Sequence, residues 1–229
     1  MMEMGYEAFA IAVLQIIAID IVLGGDNAII IALACRNLPE HQKRAGILWG
    51  TAGAIILRVI MVFFASALME MSGLRIIGGI LLLWIGIKLI SDAGGHDMDG
   101  KLAEKTTLWG AVQTIIIADF VMSLDNALAI AAASKGSIGL VIFGLALSVP
   151  IIIYGSQIIL KMMERFPIII TVGGGLLGWL AGDLIATDRF TVTNIGAEML
   201  PAPWVLASIG AVLVVVLGRL LHPKSTSKS

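Results

Sequence analysis

The sequence predicts an all-α polytopic membrane protein with seven transmembrane helices: two inverted three-helix repeats plus a C-terminal helix. Three observations carry that prediction. Of 229 residues, 59% are hydrophobic and 14% charged, against about 25% charge in ordinary soluble domains, and mean hydropathy is +1.00. Apolar runs of roughly 20 residues, each long enough to cross a hydrocarbon core about 30 Å thick as a helix, recur along almost the whole length. One stretch of the first run, IIAIDIVLGGDNAIIIA, returns 99 residues later as IIIADFVMSLDNALAIA.

In chain order the spans fall at residues 7–35, 45–70, 73–91, 108–133, 137–163, 167–187 and 203–221. The opening segment, MMEMGYEAFA, has two glutamates, no basic residue and no small-residue cleavage site, so it is expected to be part of the mature chain. Residues 1–91 form the first three-helix repeat. Residues 92–107, Gly-rich and mixed in charge, form a cytoplasmic linker. Residues 108–187 form the second repeat, and 188–229 hold an outer segment, the seventh helix and a cytoplasmic tail. A weaker echo, GGILLLW at 78–84 and GGGLLGW at 173–179, extends the duplication. Because three is odd, the second copy enters the membrane from the opposite side, a design common among secondary transporters. Asp26 is then expected on the cytoplasmic side of Asp20, and Asp125 on the outer side of Asp119. Pro150 is expected to distort the fifth span.

Basic residues orient the chain. With the N-terminus outside, cytoplasmic flanks hold eleven (Arg36, Lys43, Arg44, Lys88, Lys101, Lys105, Lys161, Arg165, Arg219, Lys224, Lys228) and outer flanks three (Arg75, Lys135, Arg189). The C-terminus is therefore expected inside, in a plasma membrane. No charge pattern marks a nucleic-acid surface, and the single Cys35 excludes a disulfide framework or a thiolate metal site within one chain.

The repeated stretch places Asp20 and Asp119 about halfway along their spans. Midplane carboxylates are costly unless they face a cavity, a partner or a cation. Residues six apart in a straight helix lie about 120° apart in rotation and roughly 9 Å apart along the axis. For Asp20 and Asp26 to serve one ion the helix must break, and Gly24 and Gly25 supply the break. Ser123 and Leu124 stand at those places in the second copy, where a break has no such signal.

Asp20, Asp26, Asn27, Asp119, Asp125 and Asn126 offer carboxylate and amide oxygens only, a donor set suited to Mg²⁺, Ca²⁺ or Mn²⁺. His41, His96 and His222 all fall outside the spans. Met122 offers a soft sulfur near the second motif, or simple packing. Arg58, near the middle of the second span, is expected to pair with a carboxylate, as a gating or coupling counter-charge or as a structural ion pair. Bare carboxylates in low dielectric hold protons until a cation arrives, which gives cation binding a route to proton exchange.

At DIVLGGDNAIIIALA and DFVMSLDNALAIAAA the chain resembles the TerC family of integral membrane proteins, particularly its short bacterial members, across nearly its full length. The resemblance implies a role in metal-ion homeostasis. Several relatives are regarded as manganese exporters, which moves Mn²⁺ to first place as the transported ion, with no prosthetic group and no enzymatic activity. It also implies Asp20, Asp26 and Asn27 in the first motif, and Asp119, Asp125 and Asn126 in the second, as the metal-binding positions. In longer relatives the position of Asp20 is often glutamate. The expected partners are the lipid bilayer, a divalent metal ion and a protein partner at the membrane. Three other readings stay open: a metal-sensing assembly factor that supplies metal to secreted proteins, a channel for the same ions, and an intramembrane aspartyl protease.

Overall fold

The computed structural model describes residues 6–23, 25–92, 107–134, 137–195 and 202–221. Among them the regular structure is entirely helical. The first half comprises α1 (Tyr6–Leu23), α2 (Gly25–Cys35), α3 (Glu40–Phe63), α4 (Ala65–Glu70) and α5 (Leu74–Ser91). The second comprises α6 (Leu108–Ala133), α7 (Ile138–Arg165), α8 (Ile168–Thr187), α9 (Arg189–Ile195) and α10 (Pro203–Leu220). The linker, apart from Asp92 and Thr107, lies outside the described residues, as do residues 196–201 of the outer segment.

Local chemistry explains the boundaries. Pro39 precedes α3, and Pro203 occupies the first turn of α10, where its missing N–H is no loss. Thr107 and Ser137 cap α6 and α7, their hydroxyls accepting from the Gly110 and Leu140 amides at 3.1 and 3.4 Å. Gly73 holds φ +86° between α4 and α5, a left-handed conformation that side chains resist.

Five helices (α3, α5, α7, α8 and α10) are long and apolar enough to cross a membrane. A sixth is α6, if its parts Leu108–Leu124 and Asn126–Ala133, bent by 65°, count as one span. The first motif supplies two shorter apolar helices, Phe9–Asp20 and Asp26–Cys35. The second expected span ends earlier, at Phe63, and its remainder turns into α4. Helix α7 runs unbroken through Pro150, whose missing N–H costs one hydrogen bond without ending the helix.

Helices α5, α8 and α10 pack closely on one another, while α3 lies along α6, and α1 and α2 lie along α7. The α8–α10 contact is backbone against backbone, because Gly178 and Gly182 on α8 face Gly210 and Leu206 on α10 with no side chain between them. Two apolar clusters fill the remaining interior. One gathers Leu33, Ile47, Leu82, Ile115, Ile152 and Leu177, and the other Val13, Ile16, Met61, Leu124, Ile130 and Leu145. On α3, α6 and α7, and on the α1–α2 pair, a buried polar residue separates the two.

Candidate functional site

That separating layer is built from four helices: Asp20 of α1, Arg58 of α3, Asp119 and Ser123 of α6, and Ser148 of α7. Asp20, Arg58 and Asp119 are 3%, 2% and 4% exposed, and both serines are fully buried. The guanidinium is shared. Its Nη1 donates to Asp20 Oδ1, its Nη2 to Asp119 Oδ1, and its Nε to Ser123 Oγ at 3.0 Å. The second oxygen of each carboxylate takes a serine: Ser148 donates to Asp20 Oδ2, and Ser123 to Asp119 Oδ2 at 3.3 Å. Ser148 also reaches the Leu145 carbonyl of its own helix at 2.8 Å.

The planar fork of arginine suits this arrangement, since it offers several N–H groups in fixed directions and stays charged. Two carboxylates against one guanidinium leave a formal charge of about −1 in a layer without bulk water.

The structure thus brings Asp20 and Asp119, the first acidic residues of the two motifs, onto one cation of the chain itself. Asp26 stands in the first turn of α2, with Oδ1 buried and without a hydrogen-bond partner. Asn27 is buried, and neither its Oδ1 nor its Nδ2 has a partner. The Thr51 hydroxyl on α3 is in the same state. Buried polar groups are nearly always satisfied, so three such residues mark where water or an ion would be welcome. Asn126 is half-buried on α6, and Gly25 opens α2. Gly24 and the side chain of Asp125 lie outside the described residues. Met122 packs on the apolar cluster of Ile115 and Val121. Among the described residues, no three His, Cys, Asp or Glu side chains gather as a metal site.

Two further polar contacts fix the ends of the bundle. At one end the buried Asp188 carboxylate accepts from the amides of Gly73 (3.0 Å), Arg75 (3.2 Å) and Phe190 (2.7 Å), capping α5 and α9 together. Beside it a cavity of about 250 Å³ is lined by Arg75, Arg189 and Leu124, the last next to the bend of α6. At the other end Arg36 donates to the Leu89 carbonyl, and Asn37 to that of Asp92 at 3.3 Å. Burial pulls the Arg36 guanidinium down to about 10, against the charge of Asp92, which raises it.

Ser123 and Ser148 were not singled out for chemistry in the sequence. Their signal was a serine inside an apolar helix, which is common and usually local.

Long apolar helices around a buried ionic layer define an integral, multi-pass helical membrane protein. The family model described as the integral membrane protein TerC family matches residues 6–228, and the chain belongs to that family. It is 41% identical to the uncharacterized membrane protein YjbE of Bacillus subtilis over 79% of this chain and 82% of that protein. It is 23% identical to the uncharacterized membrane protein YkoY of the same organism, over 73% of this chain and 57% of the relative. It is also 23% identical to the inner membrane protein YgdQ of Escherichia coli, over 65% and 69%. No solved structure matches it.

Proposed function

We propose that this protein is a plasma-membrane exporter of divalent metal cations, Mn²⁺ first among them, working by alternating access through the buried acidic layer, with protons as the exchanged ion. The observation that carries the reading is Arg58 held between Asp20 and Asp119 in the middle of the bundle. A tethered cation there offsets half the charge of the layer while no cargo is bound, and yields its place when a divalent ion enters. Asp26 and Asn27, with Asp125 and Asn126 of the other copy, complete the cargo's path on either side. Oxygen donors fit a hard cation, and Mn²⁺ is preferred because of the family.

Seven spans and an inverted repeat belong to this proposal. Counting α1–α2 as one broken span and bent α6 as another gives seven. Cys35 at the end of α2 and Leu108 at the start of α6 crowd the same glycine, Gly46, which supports a reading in which the two motifs run in opposite directions. One pair of glycine contacts supports a two-fold relation: Ile115 packs on Gly50 of α3, as its counterpart Ile16 packs on Gly144 of α7. The surplus of basic residues puts the Arg36 end in the cytoplasm and both Asp188 and the N-terminus outside.

The test is Mn²⁺ flux into proteoliposomes containing only this protein, with Mg²⁺, Ca²⁺ and Zn²⁺ as competitors, and with an Asp26→Asn/Asp125→Asn variant. Saturable flux lost in the variant is expected. Intact Mn²⁺ binding without flux would replace the exporter by a metal-sensing assembly factor.

A further inference from the structure

Arg58 donates to three oxygen-bearing groups, Asp20, Asp119 and the Ser123 hydroxyl, and the Ser148 hydroxyl holds the other oxygen of Asp20, so two hydroxyls outside the acidic and asparagine positions of the motifs belong to the layer. We propose that Ser123 and Ser148 are direct ligands of the transported cation, occupying with Asp20 and Asp119 the coordination shell that Arg58 vacates. The proposal rests on the exporter reading and adds to it the neutral half of the site.

A serine hydroxyl carries one hydrogen and two acceptor lone pairs. Ser123 spends its hydrogen on Asp119 and one lone pair on Arg58 Nε. Withdrawal of the guanidinium leaves that lone pair facing the emptied space. Ser148 has a choice of acceptors. With its hydrogen on the Leu145 carbonyl, already within 2.8 Å, both lone pairs turn to the layer beside Asp20. Both hydroxyls are fully buried, so once Arg58 leaves, the lone pair it frees on Ser123 is satisfied by a cation or an admitted water.

Charge supports the same assignment. Two carboxylates with two neutral hydroxyls carry about −2, which a divalent cation cancels and a single guanidinium only halves. Further carboxylates in place of the serines would over-bind a divalent ion and slow its release. The four oxygens come from α1, α6 and α7, so the shell draws on both halves of the chain and opens when those helices part.

Exchanging oxygen for sulfur tests this with little change of shape. Mn²⁺ flux and equilibrium Mn²⁺ and Cd²⁺ binding are measured for the wild type, Ser148→Cys, Ser123→Cys and Ser148→Ala, each checked for an unchanged elution profile. Loss of one ligand in Ser148→Ala is expected to weaken Mn²⁺ binding about 10- to 100-fold. Each thiol variant is expected to move the Cd²⁺-over-Mn²⁺ preference by about tenfold or more, since soft ligands favour soft cations. A wild type that transports and binds Mn²⁺, with thiol variants whose Cd²⁺ preference is unchanged, would overturn the ligand role and leave the exporter standing. A wild type that neither binds nor transports Mn²⁺ would overturn both.

Discussion

Arg58 is the residue on which the interior depends. Removing one partner of a buried ion pair strands the other charge, so Arg58→Met is expected to cost about 3–5 kcal/mol. A drop in the thermal midpoint of the detergent-solubilised protein measures it. Arg58→Lys keeps the charge but loses the fork, since one ammonium on a flexible stem does not reproduce the Nη1, Nη2 and Nε geometry. Its midpoint is expected to fall between those of the wild type and Arg58→Met. The acidic half of this site was legible in the sequence, because duplication marks Asp20 and Asp119 twice. A midspan arginine also announced that it needed a partner. That it takes two, one from each half, depends on which helix faces meet, and one-dimensional spacing does not carry that. The serines were hidden for a chemical reason. A serine in an apolar helix ordinarily bonds its own preceding turn, as Ser156 does with the Ile152 carbonyl at 2.7 Å, and Ser148 looks identical until Asp20 is set beside it.

Among the elements, α8 and α10 approach most closely. A methyl group at Gly178 or Gly182 would run into the backbone of α10, which has no rotamer with which to yield. Gly178→Ala and Gly182→Ala are each expected to destabilise by about 1–3 kcal/mol, read from unfolding in detergent. Gly174, Gly178 and Gly182 stand four residues apart on one face of α8, the small-residue pattern that lets helices approach closely. The two motif helices teach the opposite lesson. The Gly24–Gly25 pair forecast an interruption at a place where Gly24 lies outside the described residues. The second copy has no glycine and still bends by 65° at the matching place. Asp125 and Asn126 carry short polar side chains that compete with helical hydrogen bonds, a weaker signal than glycine. Asp188 is a third case, one carboxylate capping two helices. Asp188→Ala is expected to lose about 1–2 kcal/mol of capping and to make residues 189–195 more open to protease.

For the whole molecule, helix α5 is tied at both ends by charges that suit its dipole: Asp188 at its N-terminus and Arg36 at its C-terminus. Together with α8 and α10 it forms a frame beside the helices that carry the ionic layer. The proposed orientation is checked by thiol labelling, with Cys35 silent because it is buried. Thr193→Cys is expected to react with an impermeant maleimide on intact cells, and Glu164→Cys only after the membrane is opened. The reverse result would invert the topology. One consequence concerns electricity rather than chemistry. Arg58 is joined to α3, so if it leaves its carboxylates and returns at each turnover, a fixed charge moves back and forth across part of the membrane's electric field. A full crossing by one elementary charge is worth about 2.3 kcal/mol per 100 mV. The resting voltage would then act on the protein's own side chain as well as on its cargo, and a voltage step would draw a brief current even with no metal present.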